Sequence, residues 1–309
     1  MLITAVLLAP AAATCIVLWV AWLRLRRRMR FAGRKKSVLE RRWIFLPCAV
    51  LAGGTLLALV YARFVEPRWV DVTRLELRVT RPIGGKARFK IVHLSDLHLE
   101  RLGGLERRVL EIVREERPDL ILLTGDYLNE RGAQAELVAF LSALEAPHGV
   151  YGVAGNWDGK FPIADLFENA KVRLLRDDYE SVADGSLLLV GLDYIPHRTA
   201  RELTRGASPG SYKILLHHSP EAVDALGGAP FDLFLCGHTH GGQVRLPLLG
   251  PLVPTHRYDA GRYFITPPAT GNPGGTGMYV NRGIGCLGTG PRVRFFCRPE
   301  VVVIELAAP

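Results

Sequence analysis

In the stretch Phe231-Asp-Leu-Phe-Leu-Cys-Gly-His-Thr-His-Gly-Gly-Gln243, a short apolar run ends in two histidines that are flanked by glycines. An apolar run of this length predicts a strand that is covered on both faces. In open α/β sheets, ligands bind at the carboxyl ends of such strands, and His238 and His240 stand at that end. These two residues alone fit a metal site and a polar turn equally well, because imidazole occurs in both.

Four other stretches end an apolar run in carboxylate, amide or imidazole side chains. They are Phe89 to His98, Asp119 to Asp126, Gly149 to Asp158 and Tyr212 to Pro220. Strands that alternate with helices predict βαβ units, in which such ends meet at one edge of a sheet. Five ends of this kind favour a metal site over an ordinary turn.

The ordered motifs resemble those of the calcineurin-like metallophosphoesterases: Asp-x-His, Gly-Asp, Gly-Asn-His-[Asp/Glu], His and Gly-His-x-His. The resemblance covers about residues 88–306, and Tyr279-Val-Asn-Arg-Gly283 is similar to the membrane-tethered, single-domain branch of that family. The resemblance implies an α/β fold, a four-layer αββα sandwich. In this chain we expect two transmembrane helices before that sandwich. The resemblance also implies a hydrolase that acts on a phosphomonoester, phosphodiester or pyrophosphate.

The resemblance further implies the ligands of two divalent metal ions. Asp96, His98, Asp126 and His240 would surround one ion, and Asp126, Asn156, His218 and His238 the other, with Asp126 as the bridge. His218 matches better than His217 because the family ligand stands two residues before a proline, here Pro220. The residues for which we expect catalytic roles are Asp126, Asn156, Asp158 and His217.

One position departs from the family pattern. Trp157 stands where the family usually has the histidine of Gly-Asn-His-[Asp/Glu], which is thought to protonate the leaving group. An indole has no titratable proton to donate. Some family members that act on pyrophosphate-type substrates also lack this histidine. A non-catalytic metal- or ligand-binding protein of the same fold is therefore the alternative hypothesis.

The expected chemistry is that of a dinuclear centre. Two metal ions about 4 Å apart lower the pKa of a shared water toward roughly 7, and the resulting hydroxide attacks phosphorus. Mixed nitrogen and oxygen ligands suit Mn, Fe or Zn better than Ca.

The net charge of +9 comes from one segment. Residues 24–42 hold ten of the 39 basic residues and one of the 30 acidic residues, so the rest of the chain is neutral. An even distribution of charge elsewhere does not predict a nucleic-acid partner.

Two stretches without a charged side chain, residues 1–23 and 43–62, lie on either side of this basic segment and predict two transmembrane helices, residues 1–23 and 43–65. A cleaved signal peptide is a weaker interpretation of residues 1–23, because this stretch has no basic residues at its start and its apolar part is too long. The positive-inside rule places loop 24–42 in the cytoplasm. Connector 66–87 and catalytic domain 88–309 are then extracytoplasmic, in a multi-pass protein of the cell (inner) membrane.

Three further features leave alternatives open. Residues 244–275 lack strand or helix periodicity, and they predict either a substrate wall or membrane-facing lid, or a structural meander. Asp193 and His197 are loop residues or substrate contacts, and Cys286 and Cys297 form a disulfide or remain free. The substrate is either a lipid or cell-envelope phosphoester, or a soluble one.

Overall fold

The computed structural model describes residues 38–197, 199–205, 208, 210–226, 228–254, 256–266, 274–287 and 292–309. The predicted first transmembrane helix, residues 1–23, and most of the predicted loop 24–42 lie outside these residues. Helix α1 is Val38–Val60, and a turn of π-helix, Tyr61–Val65, follows it.

One helical segment of the described chain is long and apolar enough to cross a membrane, as judged by length and composition. It is Leu46–Arg68, with a mean hydropathy of 1.8 in its most apolar window. Only 6% of that window is buried within the protein. It overlaps the predicted second span, residues 43–65, and ends three residues later.

The second compact unit, Glu66–Pro309, holds the sheets. The other helices are α2 Gly104–Glu116, α3 Gln134–Ser142, α4 Ile163–Asn169 and α5 Ala200–Leu203. The strands are β1 Asp71–Arg78, β2 Arg88–Leu94, β3 Leu120–Thr124, β4 Val150–Val153, β5 Arg173–Leu174, β6 Asp178–Val182, β7 Leu187–Gly191, β8 Tyr212–Leu216, β9 Leu233–Cys236, β10 Arg245–Leu246, β11 Gly250–Pro251, β12 Gly261–Ile265, β13 Thr276–Val280 and β14 Glu300–Ala307.

Two six-stranded mixed sheets form the centre of this unit. Their orders are β1-β14-β2-β3-β4-β5 and β12-β13-β9-β8-β7-β6, and β10 and β11 form a separate hairpin. Strands β2, β3, β4 and β5 are parallel to one another, as are β7, β8, β9 and β13. The parallel order brings the carboxyl ends of several strands to the same edge of each sheet.

The two sheets pack against each other through an apolar cluster to which both contribute, including Ile91, Leu122, Leu189 and Leu216. A second cluster packs α2, α3 and α4 on the outer face of the first sheet. A third packs α5 and the 3-10 helix Pro220–Ala225 on the outer face of the second. Strands with both faces covered in this way require continuous apolar runs, and β3 is buried at every residue.

One segment differs from expectation. The stretch 244–275 contains strands β10, β11 and β12, although its sequence has no strand periodicity. Strand β12 pairs with β13 along its whole length, so pairing with distant residues gives order to a segment whose own composition predicts a loop. Within connector 66–87, the alternating Val72, Leu75, Leu77 and Val79 predict an edge strand, and β1 pairs in parallel with β14 at the edge of the first sheet.

Candidate metal centre

The candidate ligands stand directly after five strands. Asp96 and His98 follow β2, Asp126 follows β3, and Asn156 follows β4; His218 follows β8, and His238 and His240 follow β9. The first three strands belong to one sheet and the last two to the other. The packing of the two sheets therefore brings together side chains that are up to 144 residues apart in the chain.

Most of these residues have an unusual backbone conformation. Asp96, His98, Asp126, His238 and His240 have φ angles of 50°, 41°, 55°, 71° and 51°. The left-handed region costs a residue with a Cβ of the order of 1 kcal/mol or more, and it persists where the surroundings impose it. These five turns point the side chains inward instead of continuing the strands.

Two glycines allow the carboxylates to approach the opposing loops. A Cβ on Gly155 would lie 2.2 Å from Asp126 Oδ1, and one on Gly237 would lie 2.2 Å from Asp96 Oδ2. Real Cβ atoms do not come so close, so each carboxylate occupies space that only glycine leaves free.

The buried cluster consists of Asp96, His98 and His240, whose exposed fractions are 0%, 0% and 1%. His98 Nε2 lies 3.1 Å from His240 Nε2, and His240 Nε2 lies 3.2 Å from Asp96 Oδ1. Their ligand atoms converge on one point.

The open cluster consists of Asp126, His218 and His238, together with Asn156. His218 Nε2 lies 3.3 Å from Asp126 Oδ2, 3.1 Å from His238 Nδ1 and 3.1 Å from Asn156 Oδ1. His238 is half-buried and Asn156 is exposed, so this cluster opens to solvent.

Asp126 lies between the two clusters. Its Oδ2 atom is 3.3 Å from His218 Nε2 in the open cluster and 3.5 Å from His98 Nε2 in the buried one. One carboxylate oxygen within reach of both groups has the position of a bridging ligand.

Hydrogen bonds fix the tautomers of two histidines. The amide nitrogen of Asn129 donates to Glu100 and Cys286, so its Oδ1 faces His98 Nδ1, 2.7 Å away, and accepts from it. The carbonyl of Thr124 accepts from His218 Nδ1 at 2.6 Å. Each Nε2 then carries a lone pair in the neutral ring and faces the centre, as in metal sites where an outer partner orients the histidine.

The ligand atoms fit a pair of cations. In each cluster, two histidine nitrogens lie 3.1 Å apart with a carboxylate beside them: Nε2 of His98 with Nε2 of His240, and Nε2 of His218 with Nδ1 of His238. A cation bound in either cluster would be within reach of both nitrogens and of the carboxylate. Imidazole with carboxylate is a donor set for transition-metal ions.

Burial and the neighbouring charges shift the pKa values of the centre. Burial lowers the pKa of His98 to about 4, with a further contribution from His240, and burial lowers the pKa of His238 to about 4, with a further contribution from His218. For His218, burial is outweighed by Asp126 and Asp96, and its pKa rises to about 9. Burial raises the pKa of Asp96, but the surrounding histidines lower it by more, so the carboxyl group is ionised.

Asp158 lies outside both clusters and holds the turn between Asp126 and Asn156. It is 2% exposed, and its carboxylate accepts hydrogen bonds from the backbone N–H groups of Asp126, Tyr127 and Gly155. Burial, with the charge of Asp126, raises its pKa to about 7.

His217 also lies outside both clusters. Its Nδ1 is 2.9 Å from the carbonyl oxygen of Ser219, and its ring stacks on Tyr194 with centroids 6.1 Å apart. Burial lowers the pKa of His217.

Trp157 contacts the centre through its backbone and its ring. Its N–H donates to Asp126 Oδ1 at 2.9 Å, and the indole meets the ring of His98 edge to face, 6.1 Å away. The ammonium of Lys160 lies 3.2 Å from the centroid of the indole ring. At this position the chain therefore presents an indole and a cation where the family has imidazole.

Two residues at the centre were missed from the sequence. Tyr194 lies with its ring about 6 Å from those of His217, His218 and His238. Asn129 orients His98. The local signal for Asn129 is its position three residues after Asp126. The local signal for Tyr194 is its position just after strand β7.

A cavity of ≈ 490 Å³ adjoins the open cluster at Asn156. Its walls are largely apolar and include Phe161, Ile163, Leu174 and Ile195, with Arg176 and Asp193 paired at 2.8 Å. Its volume is within the range of small-molecule sites. Asp193 and His197, left open as loop residues or substrate contacts, both line it.

A buried histidine and two cysteines surround the ligand clusters without belonging to them. His93 is buried, and its Nε2 is 2.8 Å from Thr124 Oγ1. Cys286 and Cys297 are free thiols, and Cys297 Sγ lies 3.2 Å from the carbonyl oxygen of His240.

Comparison with known proteins is consistent with this geometry. A profile of the family "Calcineurin-like phosphoesterase" matches residues 89–242. The uncharacterized metallophosphoesterase YkuE of Bacillus subtilis is 32% identical over 88% of this chain and 98% of its own length. The phosphodiesterase YaeI of Escherichia coli is 30% identical over 85% of this chain and 97% of its own length. The UDP-2,3-diacylglucosamine pyrophosphatase LpxG of Chlamydia muridarum is 24% identical over 82% of this chain and 94% of its own length.

Proposed function

The chain belongs to the calcineurin-like phosphoesterase family, and we propose that it is a membrane-anchored enzyme whose substrate is a lipid or another cell-envelope phosphoester. It is a hydrolase of phosphoric ester bonds, and its family depends on two metal ions. The observation that carries the proposal is the pair of ligand clusters that share Asp126.

The proposed ligands are those of the two clusters, with Asp126 common to both. Two divalent ions held there would supply an activated water and positive charge for the phosphoryl oxygens. Asn156 adds a neutral oxygen, which leaves more positive charge for the phosphate than a carboxylate would. Asp158 fixes the turn that presents Asn156 and Trp157, because it binds three backbone N–H groups. Mn, Fe or Zn suits the donor set.

The proposed substrate has an apolar portion next to its phosphate. The apolar cavity at Asn156 offers room for such a group beside the open cluster. The relative LpxG is a UDP-2,3-diacylglucosamine pyrophosphatase, so its substrate carries acyl chains as well as a pyrophosphate. The segment Leu46–Arg68, which leads directly into the catalytic unit, supports a site close to a bilayer.

We further propose the domain order and topology expected from the charges: spans 1–23 and 43–65, cytoplasmic loop 24–42, connector 66–87 and extracytoplasmic catalytic domain 88–309. Reporter fusions or cysteine accessibility should place residue 309 outside and the loop around Arg30 inside. The opposite result would contradict this orientation and would favour a cytoplasmic lipid-nucleotide substrate.

The substrate class is tested by incubating total lipid extracts with the purified wild type and with Asp126→Asn, each with added Mn. We expect at least one phospholipid or lipid-linked phosphate to disappear with the wild type only. If no lipid changes while a soluble phosphodiester is hydrolysed well, the protein is a phosphoesterase of soluble substrates.

Trp157 favours one second candidate function, a non-catalytic metal- or ligand-binding protein. An indole in place of the proton donor removes general acid catalysis, which is worth about 10²-fold or more. Trp157→His should then raise turnover of substrates with poor leaving groups by about that factor, with little change for an activated aryl ester. A wild type that binds metal but is inactive on every phosphoester would support the second candidate.

A further inference from the structure

A leucine-tipped hairpin projects from the edge of the catalytic unit. Strands β10 and β11 pair only through Arg245 with Pro251 and Leu246 with Gly250, and the tip lies between them. Leu248 and Leu249 at this tip are 106% and 79% exposed. Soluble surfaces rarely present two neighbouring leucines so fully, and such exposure indicates a binding surface.

The hairpin lies beside a second exposed apolar segment. Val244 pairs with Phe295, and Arg245 N–H donates to the carbonyl of Phe295 at 2.8 Å. The next residue, Phe296, is 56% exposed with a φ of 50°. The hairpin and the Phe296 turn therefore form one apolar rim.

The Phe296 turn is bonded to the end of the candidate membrane span. The buried carboxylate of Glu66 accepts hydrogen bonds from the backbone N–H groups of Phe296, at 2.9 Å, and of Cys297. Glu66 belongs to the last turn of Leu46–Arg68. The Phe296 turn is therefore bonded to the first residue of the catalytic unit, at which the candidate span is ending.

The charges of the rim fit a membrane surface. Trp69, which is 49% exposed, has the guanidinium of Arg298 3.5 Å from its ring centroid, and tryptophan and arginine are favoured at the boundary between lipid and water. Neither segment 244–254 nor segment 292–298 contains an acidic residue. Arg245 and Arg292 are paired with Asp259 and Glu100, and Arg294 is buried, so Arg298 is the cation of these segments that we expect to meet anionic headgroups.

The rim is also directly connected to the metal centre. His240 begins the short 3-10 helix His240–Gly242, and the hairpin starts at Arg245, three residues after that helix ends. Gln243 N–H donates to the carbonyl of His240 at 3.0 Å, and Cys297 Sγ lies 3.2 Å from that same carbonyl. The base of the hairpin and the Phe296 turn are thus both linked to the backbone of His240, a candidate ligand of the buried cluster.

We propose that the β10–β11 hairpin inserts its leucine tip into the outer part of a lipid bilayer, and that with the Phe296 turn it seats the metal centre at the membrane surface. The inference rests on the proposed membrane anchoring, and it adds a second contact, formed by the catalytic unit itself. A lipid phosphoester would then meet the catalytic unit at the membrane surface.

The test measures insertion without any substrate. The full-length protein, with Cys15 and Cys48 replaced by Ser, carries a single fluorescent label at Leu248→Cys and is reconstituted in vesicles that contain anionic phospholipid. The remaining cysteines are buried and resist labelling. The matched control carries its label at Tyr179→Cys, which is 40% exposed on the edge strand of the second sheet.

We expect nitroxide lipids to quench the label at position 248 several-fold more than the label at position 179, with the reverse order for iodide in the water phase. Equal quenching at both positions by the lipid nitroxide would overturn the proposal. Failure of both quenchers to reach the label at position 248 would also overturn it. In that case the tip would be covered by protein, for example by a second copy of this chain.

A second measurement concerns the substrate. The double variant Leu248→Asp, Leu249→Asp should raise the KM for a phospholipid in vesicles by about tenfold, because charged tips do not insert. Turnover of a soluble aryl phosphodiester should stay within about twofold. If no lipid is hydrolysed by any variant, the proposed substrate class is wrong, while the quenching result still decides on insertion.

Discussion

The two halves of the metal centre are built from the same kinds of side chain, yet they differ in contact with solvent. In the buried half, Asp96, His98 and His240 are at most 1% exposed. In the open half, His238 is half-buried and Asn156 is exposed at the mouth of the apolar cavity. Asp126 Oδ2 lies within 3.5 Å of a histidine ring nitrogen of each half, and Asp96 joins the halves through hydrogen bonds from the backbone N–H of His238.

This difference separates two tasks. An ion in the buried half would be held by the packing of the two sheets, and it would leave only when the surrounding strand ends move. An ion in the open half, beside a neutral amide, would exchange more readily and could meet a phosphoryl oxygen. We therefore expect the halves to respond differently to mutation and to pH.

The largest effect is expected where the halves meet. Asp126→Asn removes the shared negative charge, and the loss of metal stabilisation of the transition state, worth several kcal/mol, corresponds to a drop in kcat of about 10³-fold or more. Metal content should fall from two ions to one or none, as measured by elemental analysis.

The matched control for this variant is Asp119→Asn. Asp119 is buried just before strand β3, at the end opposite Asp126, and it accepts a hydrogen bond from Lys90 N–H. The Asp119→Asn variant should keep both ions and most of the activity. If Asp126→Asn keeps two ions and full activity, Asp126 does not bridge.

A smaller, selective effect is expected from the two asparagines. Asn129→Ala removes the partner of His98 Nδ1, and loss of such an outer partner typically weakens metal binding by about 10- to 100-fold. Asn156→Ala removes an oxygen from the open half only. Titration with a chelator should show the tighter ion weakened in the first variant and the weaker ion in the second.

Identical titration curves for the two asparagine variants would contradict the division into halves. In the wild type, titration with a chelator should show two phases of metal loss. A single phase would also contradict the division into halves.

A pH dependence of about tenfold per unit is expected in the open half only. His218, with its pKa raised to about 9, must release a proton when it binds a metal ion, so affinity should rise between pH 7 and 9. His98, with its pKa lowered to about 4, is already neutral in that range. Calorimetry in buffers of different ionisation enthalpy counts the protons released by each ion.

The same group has an opposite effect on the metal-free protein. Because the folded-state pKa of His218 is raised, its protonation stabilises the fold fully below about pH 6.5, and this contribution is lost as pH rises through about 9. The melting temperature of metal-free protein should therefore decrease over this range. His218→Asn should remove that slope.

The smallest effect is expected at the wall of the open half. Tyr194→Phe keeps the ring beside His217, His218 and His238, so metal binding and kcat should change by no more than about twofold. Tyr194→Ala removes the ring and should raise KM more than it lowers kcat. If Phe and Ala have equal effects, the hydroxyl group matters and the ring contact does not.

The candidate ligands have a local signal in the sequence. Asp96, Asp126 and His240 each stand a few residues after an apolar strand, and Asp126 and His240 also have a glycine beside them. The long stretch 244–275 was interpreted less well, because strand β12 depends on pairing with β13 and its own composition contains many prolines and glycines.

The sequence by itself determined which side chains offer ligand atoms and in what order they occur, since strand ends and turns depend on neighbouring residues. Only the tertiary structure decided which half is buried, that Asn129 orients His98, and that the Leu248 tip is exposed beside the Phe296 turn. These properties arise from contacts between segments far apart in the chain, such as Glu66 with Phe296. No local pattern specifies such contacts, because they exist only once the two sheets have packed.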